Sequence, residues 1–336
     1  MKTLKRMIVL ACVCVLALSF VGCGKVEVFR EVAKVNDRVI SKEEFMFYLE
    51  NIKQQMLNEA GAPDVENFWD AEIDGVKASD AAKNKALEEM LRVEIACIKA
   101  EERGLFLSDA QVQAIRSSVK TNDRQQKEQN NYIKELTGMS DEQLIELQKK
   151  SALASLYVST LNAEDPTLLT SSDEAIKAMY QQEYVHVKHV LVKNTDEEGS
   201  ASDEIKAKKK AIAEDVLKKA KAGANFDALV KEYGEDPGMT EKPEGYTFTK
   251  GAMVPEFEAA SYALSVGGVS ELVESSYGWH IIKKYALPTS GEEYDTAIAA
   301  VKEELSADKF NAILDGYKAE MNIKIHQNVI NGIEVK

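Results

Sequence analysis

The first 23 residues limit what the rest of the chain can become. Lys2, Lys5 and Arg6 form a basic start, Met7–Val21 is an apolar run too short to cross a ~30 Å hydrocarbon core comfortably, and Gly22-Cys23 closes it. A stretch of this kind is an export signal that is removed before folding, so the core must be sought after it. Removal also discards Cys12 and Cys14. No disulfide framework is then expected, and the exported part must be held by apolar cores. Cys97 lies among Val93, Ile95 and Ile98, the setting of a buried side chain rather than of a nucleophile.

The 336 residues, less the signal, are enough for two globular units at a prior of about 150 residues per domain. A net charge of −14 argues against a nucleic-acid partner, since phosphate binding needs a basic surface.

Helical signals dominate up to residue 182. Ser41-Lys42-Glu43-Glu44 has the form of a capping box, and Phe45, Leu49, Ile52 and Met56 continue it at helical spacing until Gly61 and Pro63. Ser79–Arg103 is a second long helix ending at Gly104, and further capping boxes stand at Ser108 with Gln111 and at Ser140 with Gln143. The run Val32–Ile40 alternates around a turn dipeptide and predicts a short hairpin. Asn322–His326 and the Asn331-Gly332 turn read as strand again, so the two ends can pair. The helical domain would then be discontinuous, with another domain inserted in it.

The insert, residues 183–288, mixes periods. Tyr184–Val192 reads as a strand, Ile205–Ala222 as a helix closed by Gly223, and Asn225 as the cap of a helix through Tyr233. Pro255 stands at a helix start, and Val269–Val273 and Trp279–Tyr285 read as two strands around a turn at Ser275–Gly278. This is a small α+β domain.

Five blocks in the insert resemble, in order and spacing, the motifs of parvulin-type rotamases: His186–Val192, Gly223–Phe226, Tyr233–Gly238, Met253–Glu258 and Tyr277–Ile282. Phe20-Val21-Gly22-Cys23 resembles the lipobox of bacterial lipoproteins, with Phe20 in place of the usual Leu. The whole arrangement is similar to the PrsA foldases and more distantly to the periplasmic chaperone SurA. The resemblance implies a multidomain protein: a signal over 1–22, a lipid-anchored linker over 23–30, a mainly α-helical SurA-like chaperone domain over 31–182, an inserted α+β parvulin domain over 183–288, and a returning helix and strand over 289–336. It also implies lipidation at Cys23, location on the extracytoplasmic face of the cell membrane, and unfolded or newly exported proteins as partners.

Prolyl isomerisation faces a barrier of about 18–20 kcal/mol, because resonance gives the C–N bond double-bond character. A catalyst needs an apolar pocket and polar groups that favour the twisted amide, with no cofactor, metal or covalent nucleophile. Met253 and Phe257 are one helical turn apart and match the family's proline pocket. By the same resemblance His189 and His280 form a hydrogen-bonded pair on neighbouring central strands, Ser275 supports them, and Asp236 faces the substrate amide. Blander readings stand beside these: core histidines, ordinary core contacts at 253 and 257, and a turn residue at 236. His186 and His189 are three apart in a strand and point to opposite faces, which argues against a shared metal.

The chain departs from the family at Lys242–Phe248, where the usual pocket Leu is missing and Tyr246 or Phe248 is left to fill the wall. Asp196, Glu197, Glu198, Asp203 and Glu204 stand where phosphate-directed parvulins carry a basic cluster, so phosphorylated substrates should be repelled. The readings in competition are an isomerase-chaperone for exported proteins, a binding-only chaperone with an inactive parvulin domain, and a solute-binding lipoprotein. The last would need two lobes of alternating strand and helix, which the helical first half lacks.

Overall fold

The computed structural model describes residues 31–60, 67–73, 75–196 and 199–336. The signal, Cys23 and the linker through residue 30, Gly61, Pro63, Glu197 and Glu198 lie outside the described residues. The described chain divides into two compact units. One draws on the stretches Met1–Met56, Asp64–Thr170 and Leu305–Lys336, the other on Leu57–Pro63 and Ser171–Glu304. A helical unit built from both ends of the chain with an α+β unit between them is the expected architecture. The second unit reaches beyond the expected 183–288 on both sides.

In the first unit, strands β1 (Glu31–Val35) and β2 (Arg38–Ser41) form the expected hairpin, turned at Asn36 in the left-handed region with φ 52°. Asparagine tolerates that conformation, and its side chain is put to use: Asn36 Oδ1 accepts from Asn322 N at 2.9 Å. Helix α1 (Lys42–Ala60) follows, then a 3₁₀ turn (Phe68–Asp70) and the two-residue strands β3 (Glu72–Ile73) and β4 (Val76–Lys77). Helices α2 (Ala78–Glu102), α3 (Asp109–Val119), α4 (Arg124–Thr137) and α5 (Asp141–Glu164) complete the first long stretch. The capping boxes at Ser108 and Ser140 are both closed in each direction. At Ser41 only half of one forms: Ser41 Oγ accepts from Glu44 N at 3.2 Å, while the Glu44 carboxylate turns inward.

The second unit opens with α6 (Asp173–Glu183) and β5 (Val185–Lys193), then α7 (Asp203–Lys221), α8 (Phe226–Tyr233), the short α9 (Pro237–Glu241), β6 (Tyr246–Phe248), α10 (Pro255–Ala263), β7 (Val273–Ser275) and β8 (Gly278–Tyr285). Helix α11 (Glu292–Lys318) is divided between the units at Glu304. The chain returns to the first unit through β9 (Ile323–Ile325) and α12 (Gln327–Asn331).

The terminal strands pair as expected: β9 lies antiparallel to β1, with Ala33 opposite Ile325, in a sheet ordered β2-β1-β9. Beyond β9 the expected Asn331-Gly332 turn is the end of a short helix, α12, which Gly332 caps. One core cluster of this unit joins Ile95, Ala96 and Ala100 of α2, Leu153, Ala154, Tyr157 and Leu161 of α5, and Phe310 and Leu314 of α11. Cys97 lies fully buried in it.

A buried ionic chain ties four elements of the same unit. Lys150, 1% exposed on α5, donates to Glu44 of α1 and Glu94 of α2 at 2.6 Å each. Glu94 also accepts from Arg38 at 3.0 Å, and Arg38 reaches Glu101 at 2.5 Å. Burial pushes the Glu44 carboxyl up, an effect the Lys150 ammonium opposes. Tyr48, beside this cluster, is buried too, so Phe45 and Tyr48 belong to the core while Met46 and Phe47 are half-buried. Helix α1 therefore presents no four-residue apolar surface.

The second unit is a four-stranded antiparallel sheet, ordered β6-β5-β8-β7, with helices on both faces. Val190, Val192, Trp279 and Ile281 point to one face and pack on α7 and α8, through Ala213, Val216 and Phe226. Val185, Val187 and Ile282 point to the other, against Phe248 and α10. Two differences from the sequence expectation stand out. Strand β6 and helix α9 are new, and the expected strand Val269–Val273 is shifted to Val273–Ser275. Its first part still touches β8, but the Ser270 hydroxyl accepts from Ile282 N at 3.0 Å in place of a backbone carbonyl, which interrupts the ladder.

Candidate active site

The second face of the sheet carries the polar residues singled out in the sequence. His189 on β5 is paired with Ile282 on β8, and His280 lies two residues away on β8. Side chains of a strand alternate, so both rings emerge on one face as diagonal neighbours. Each is 4% exposed. Their Nδ1 atoms lie 3.1 Å apart and the rings are nearly parallel, with an interplanar angle of 24°. Ser275, in the last position of β7, sets its Oγ 2.7 Å from His280 Nε2. On the other side His189 Nε2 is 2.8 Å from Asp236 Oδ2. Asp236 is the N-cap of α9, and its Oδ1 accepts from Gly238 N at 3.0 Å.

Counting protons fixes the direction of this chain. An ionised Asp236 only accepts, so His189 Nε2 donates and, in a neutral ring, His189 Nδ1 must accept. His280 Nδ1 is then the donor and His280 Nε2 the acceptor of the Ser275 hydroxyl. Ser275 Oγ in turn accepts from Tyr277 N at 3.1 Å. The order Ser275→His280→His189→Asp236 uses each hydrogen once and leaves each imidazole in one tautomer. Electrostatics agree. Burial, with His189 alongside, lowers His280 to about 4, and Asp236 only partly opposes this. The Asp236 carboxyl is held far below the usual carboxylate range by the hydrogen bond from His189, helped by Tyr246 and Gly238 N against a desolvation cost.

Phe257, 3% exposed on α10, stands edge-on to both histidines, at 4.9 Å from His189 and 5.3 Å from His280 between ring centroids. Pro255 at the first turn of α10 fits there because its missing N–H costs nothing. Met253, just before the helix, packs half-buried in the same cluster. Phe248 is buried against Phe257 and Tyr262, at 6.0 and 6.3 Å. Tyr246 is half-buried, its ring 5.9 Å from His189, and its hydroxyl donates to Asp236 Oδ2 at 2.7 Å.

The structure thus brings together His189, His280, Ser275, Asp236, Tyr246, Met253, Phe257 and Phe248. Sequence reasoning did not foresee the Tyr246–Asp236 bond, since three-residue β6 gave no strand signal. His186 points to the opposite face from His189, and its Nδ1 meets Thr247 Oγ1 at 2.9 Å. Chemically the site is a dry apolar wall beside a polar chain whose donors are all engaged; it offers hydrogen-bond order without a free nucleophile.

Comparison with known proteins follows the division into units. The family described as the PPIC-type PPIASE domain matches residues 174–286, and the SurA-like N-terminal domain matches residues 1–158. The protein named foldase protein PrsA of Caldanaerobacter subterraneus is 26% identical over 89% of this chain and 89% of its own length. Foldase protein PrsA 3 of Bacillus anthracis is 27% identical over 98% of this chain and 96% of its own. Among solved structures, the crystal structure of the peptidylprolyl isomerase PrsA from Bacillus anthracis shares 25% identity, with a TM-score of 0.29, and covers 71% of this chain and 99% of that one.

Proposed function

We propose that this chain, which is a parvulin-type peptidyl-prolyl cis-trans isomerase with a SurA-like N-terminal domain, is a membrane-anchored extracytoplasmic foldase that isomerises Xaa-Pro bonds in newly exported proteins. The observation that carries the reading is the unbroken chain Ser275–His280–His189–Asp236 set against the edge of Phe257.

Met253, Phe257 and Phe248 form the side of the site that takes the proline ring. A planar prolyl amide is strongly dipolar, and twisting about C–N removes the resonance that makes it so. Moving the amide against an apolar wall therefore costs the planar form more than the twisted one, and that difference lowers the barrier. The histidines hold the wall and the polar edge in register. Neither has a spare proton in its tautomer, so the reaction proceeds by rotation and not by acid–base transfer. Asp236 supplies fixed negative charge at the rim, where the amide enters. Acylation of Cys23 would hold the protein at the membrane, since several acyl chains anchor firmly where one does not.

The test is an isomerase assay of the purified full-length chain on a non-phosphorylated Xaa-Pro peptide, followed by exchange spectroscopy. Catalysed exchange well inside the uncatalysed tens to hundreds of seconds is expected. Exchange no faster than that would leave the protein a binding-only chaperone.

A further inference from the structure

Either Tyr246 or Phe248 was expected to fill the pocket wall left by a missing leucine, and the Tyr246 hydroxyl is turned to Asp236. Asp236 Oδ2 accepts from both Tyr246 Oη at 2.7 Å and His189 Nε2 at 2.8 Å, while Oδ1 accepts from Gly238 N at 3.0 Å. Two glycines make this possible. A Cβ on Gly238 would lie 2.0 Å from the Tyr246 hydroxyl, so that glycine provides room and not conformational freedom. Gly245 has φ +109°, and a Cβ there would lie 2.6 Å from the Val187 carbonyl, so it lets β6 start directly against β5.

We propose that Tyr246 is a positioning residue of the isomerase: its hydroxyl clasps the Asp236 carboxylate in the orientation that holds His189 as its Nε2–H tautomer. It acts through Asp236 and not on the prolyl ring. The clasp explains how a site lacking the usual leucine keeps its order. The polar chain ends on a carboxylate with three donors on it, and a carboxylate so bound does not rotate away from His189.

The groups around the clasp set the sign of its pH effect. Asp236 faces His189 from β5, Tyr246 from β6 and, at longer range, His280 from β8, and Glu241 of α9 acts on Tyr246. Without the tyrosine hydroxyl, the Asp236 charge is less engaged, and that charge already works against the lowering of His280. His280 then takes up its proton at higher pH.

The inference rests on residues 174–286 turning over. The experiment compares the full-length chain with Tyr246→Phe, Gly238→Ala and the double variant, by isomerase kinetics across pH and by ¹⁵N NMR of the histidine rings. Tyr246→Phe is expected to lower kcat about tenfold with KM within about twofold, the loss of one hydrogen bond to a charge. The acid limb should move up by roughly one pH unit, and His189 should lose its single Nε2–H signature. Gly238→Ala should act in the same direction, and the double variant should be no worse than either single one. A Tyr246→Phe chain that raises KM at unchanged kcat is a pocket wall and overturns the proposal, as does one with wild-type histidine signals and pH profile. A wild-type His189 protonated at Nδ1 overturns it without any variant. If the wild type shows no turnover the foldase reading fails, and the histidine signals still decide this one.

Discussion

His189 and His280 meet Nδ1 to Nδ1 at 3.1 Å, a distance that holds one proton and excludes two. Burial holds His280 neutral, and folding depends on pH accordingly. His280 is lowered to about 4 in the folded chain against an ordinary value of 6.5. Between those values the unfolded chain binds a proton that the folded chain refuses. The stability this contributes is complete above about pH 6.5 and is lost as pH falls toward 4, roughly 3 kcal/mol in all. Thermal unfolding of the second unit should show a Tm that drops across that window, and His280→Asn should flatten the profile. A Tm independent of pH from 4.5 to 7 would contradict a neutral buried His280.

Phe257 is buried in the second unit and, in the proposed function, lines the proline pocket. Truncation to alanine should cost about 3–5 kcal/mol, the usual range for a buried phenylalanine. Phe257→Leu is the more informative change, because it keeps an apolar side chain but loses the edge that meets both histidines. It should lower kcat/KM about tenfold or more in the peptide assay while the chain stays folded. Unchanged kcat/KM would move the proline pocket elsewhere.

Lys150 bears the balance of charge in the helical unit. Lys150→Met leaves Glu44 and Glu94 in the core without their cation, and should destabilise by about 3–5 kcal/mol in urea titration. Replacing all three, as Lys150→Met with Glu44→Gln and Glu94→Gln, should recover most of that loss. If the triple variant is as unstable as the single one, the cost lies in packing rather than in unpaired charge.

The apolar residues that the helical unit leaves exposed are not those of α1. Phe106 is 67% and Tyr132 60% exposed, and Leu136 stands one turn beyond Tyr132 on α4. If unfolded clients bind this unit, changing these three to serine should weaken suppression of aggregation of a denatured test protein, with stability altered by no more than about 0.5 kcal/mol each. Full suppression by the triple variant would place client binding on another surface.

In the proposed function, membrane attachment rests on Cys23. Cys23→Ala should move the protein from the membrane to the soluble fraction and change its mobility on gels. Wild-type partitioning of that variant would remove the lipid anchor from the proposal.

How far the sequence disclosed all this depended on the range over which each signal acts. The helix starts at Ser108 and Ser140 were legible because a capping box lies within four residues, and both boxes form. Ser41 carried the same letters, but Glu44 was claimed by Lys150, 106 positions away, and no local pattern announces such a partner. The two histidines were legible through the resemblance of five blocks, and the alternation of β5 and β8 then placed both rings on one face. Tyr246 was legible as an aromatic near the pocket, whereas its hydroxyl bond depends on Gly238, whose missing side chain means nothing until the fold brings it under the ring. Strand β7 slipped because the Ser270 side chain replaced a backbone partner, a substitution that propensity does not encode.

The pairing of β1 with β9 has a consequence in time. Ala33 and Ile325 are neighbours although 292 positions separate them, so the first hairpin cannot gain its third strand until almost the whole chain has emerged. Residues 171–304 contain every strand of their own sheet and wait for nothing downstream except the rest of α11. A chain leaving a translocation channel N-terminus first would thus form its isomerase unit while the helical unit is still open along the edge of β1. Closing so long a loop costs little more than closing a shorter one, since the entropy grows only with the logarithm of length. The delay is one of arrival and not of energy.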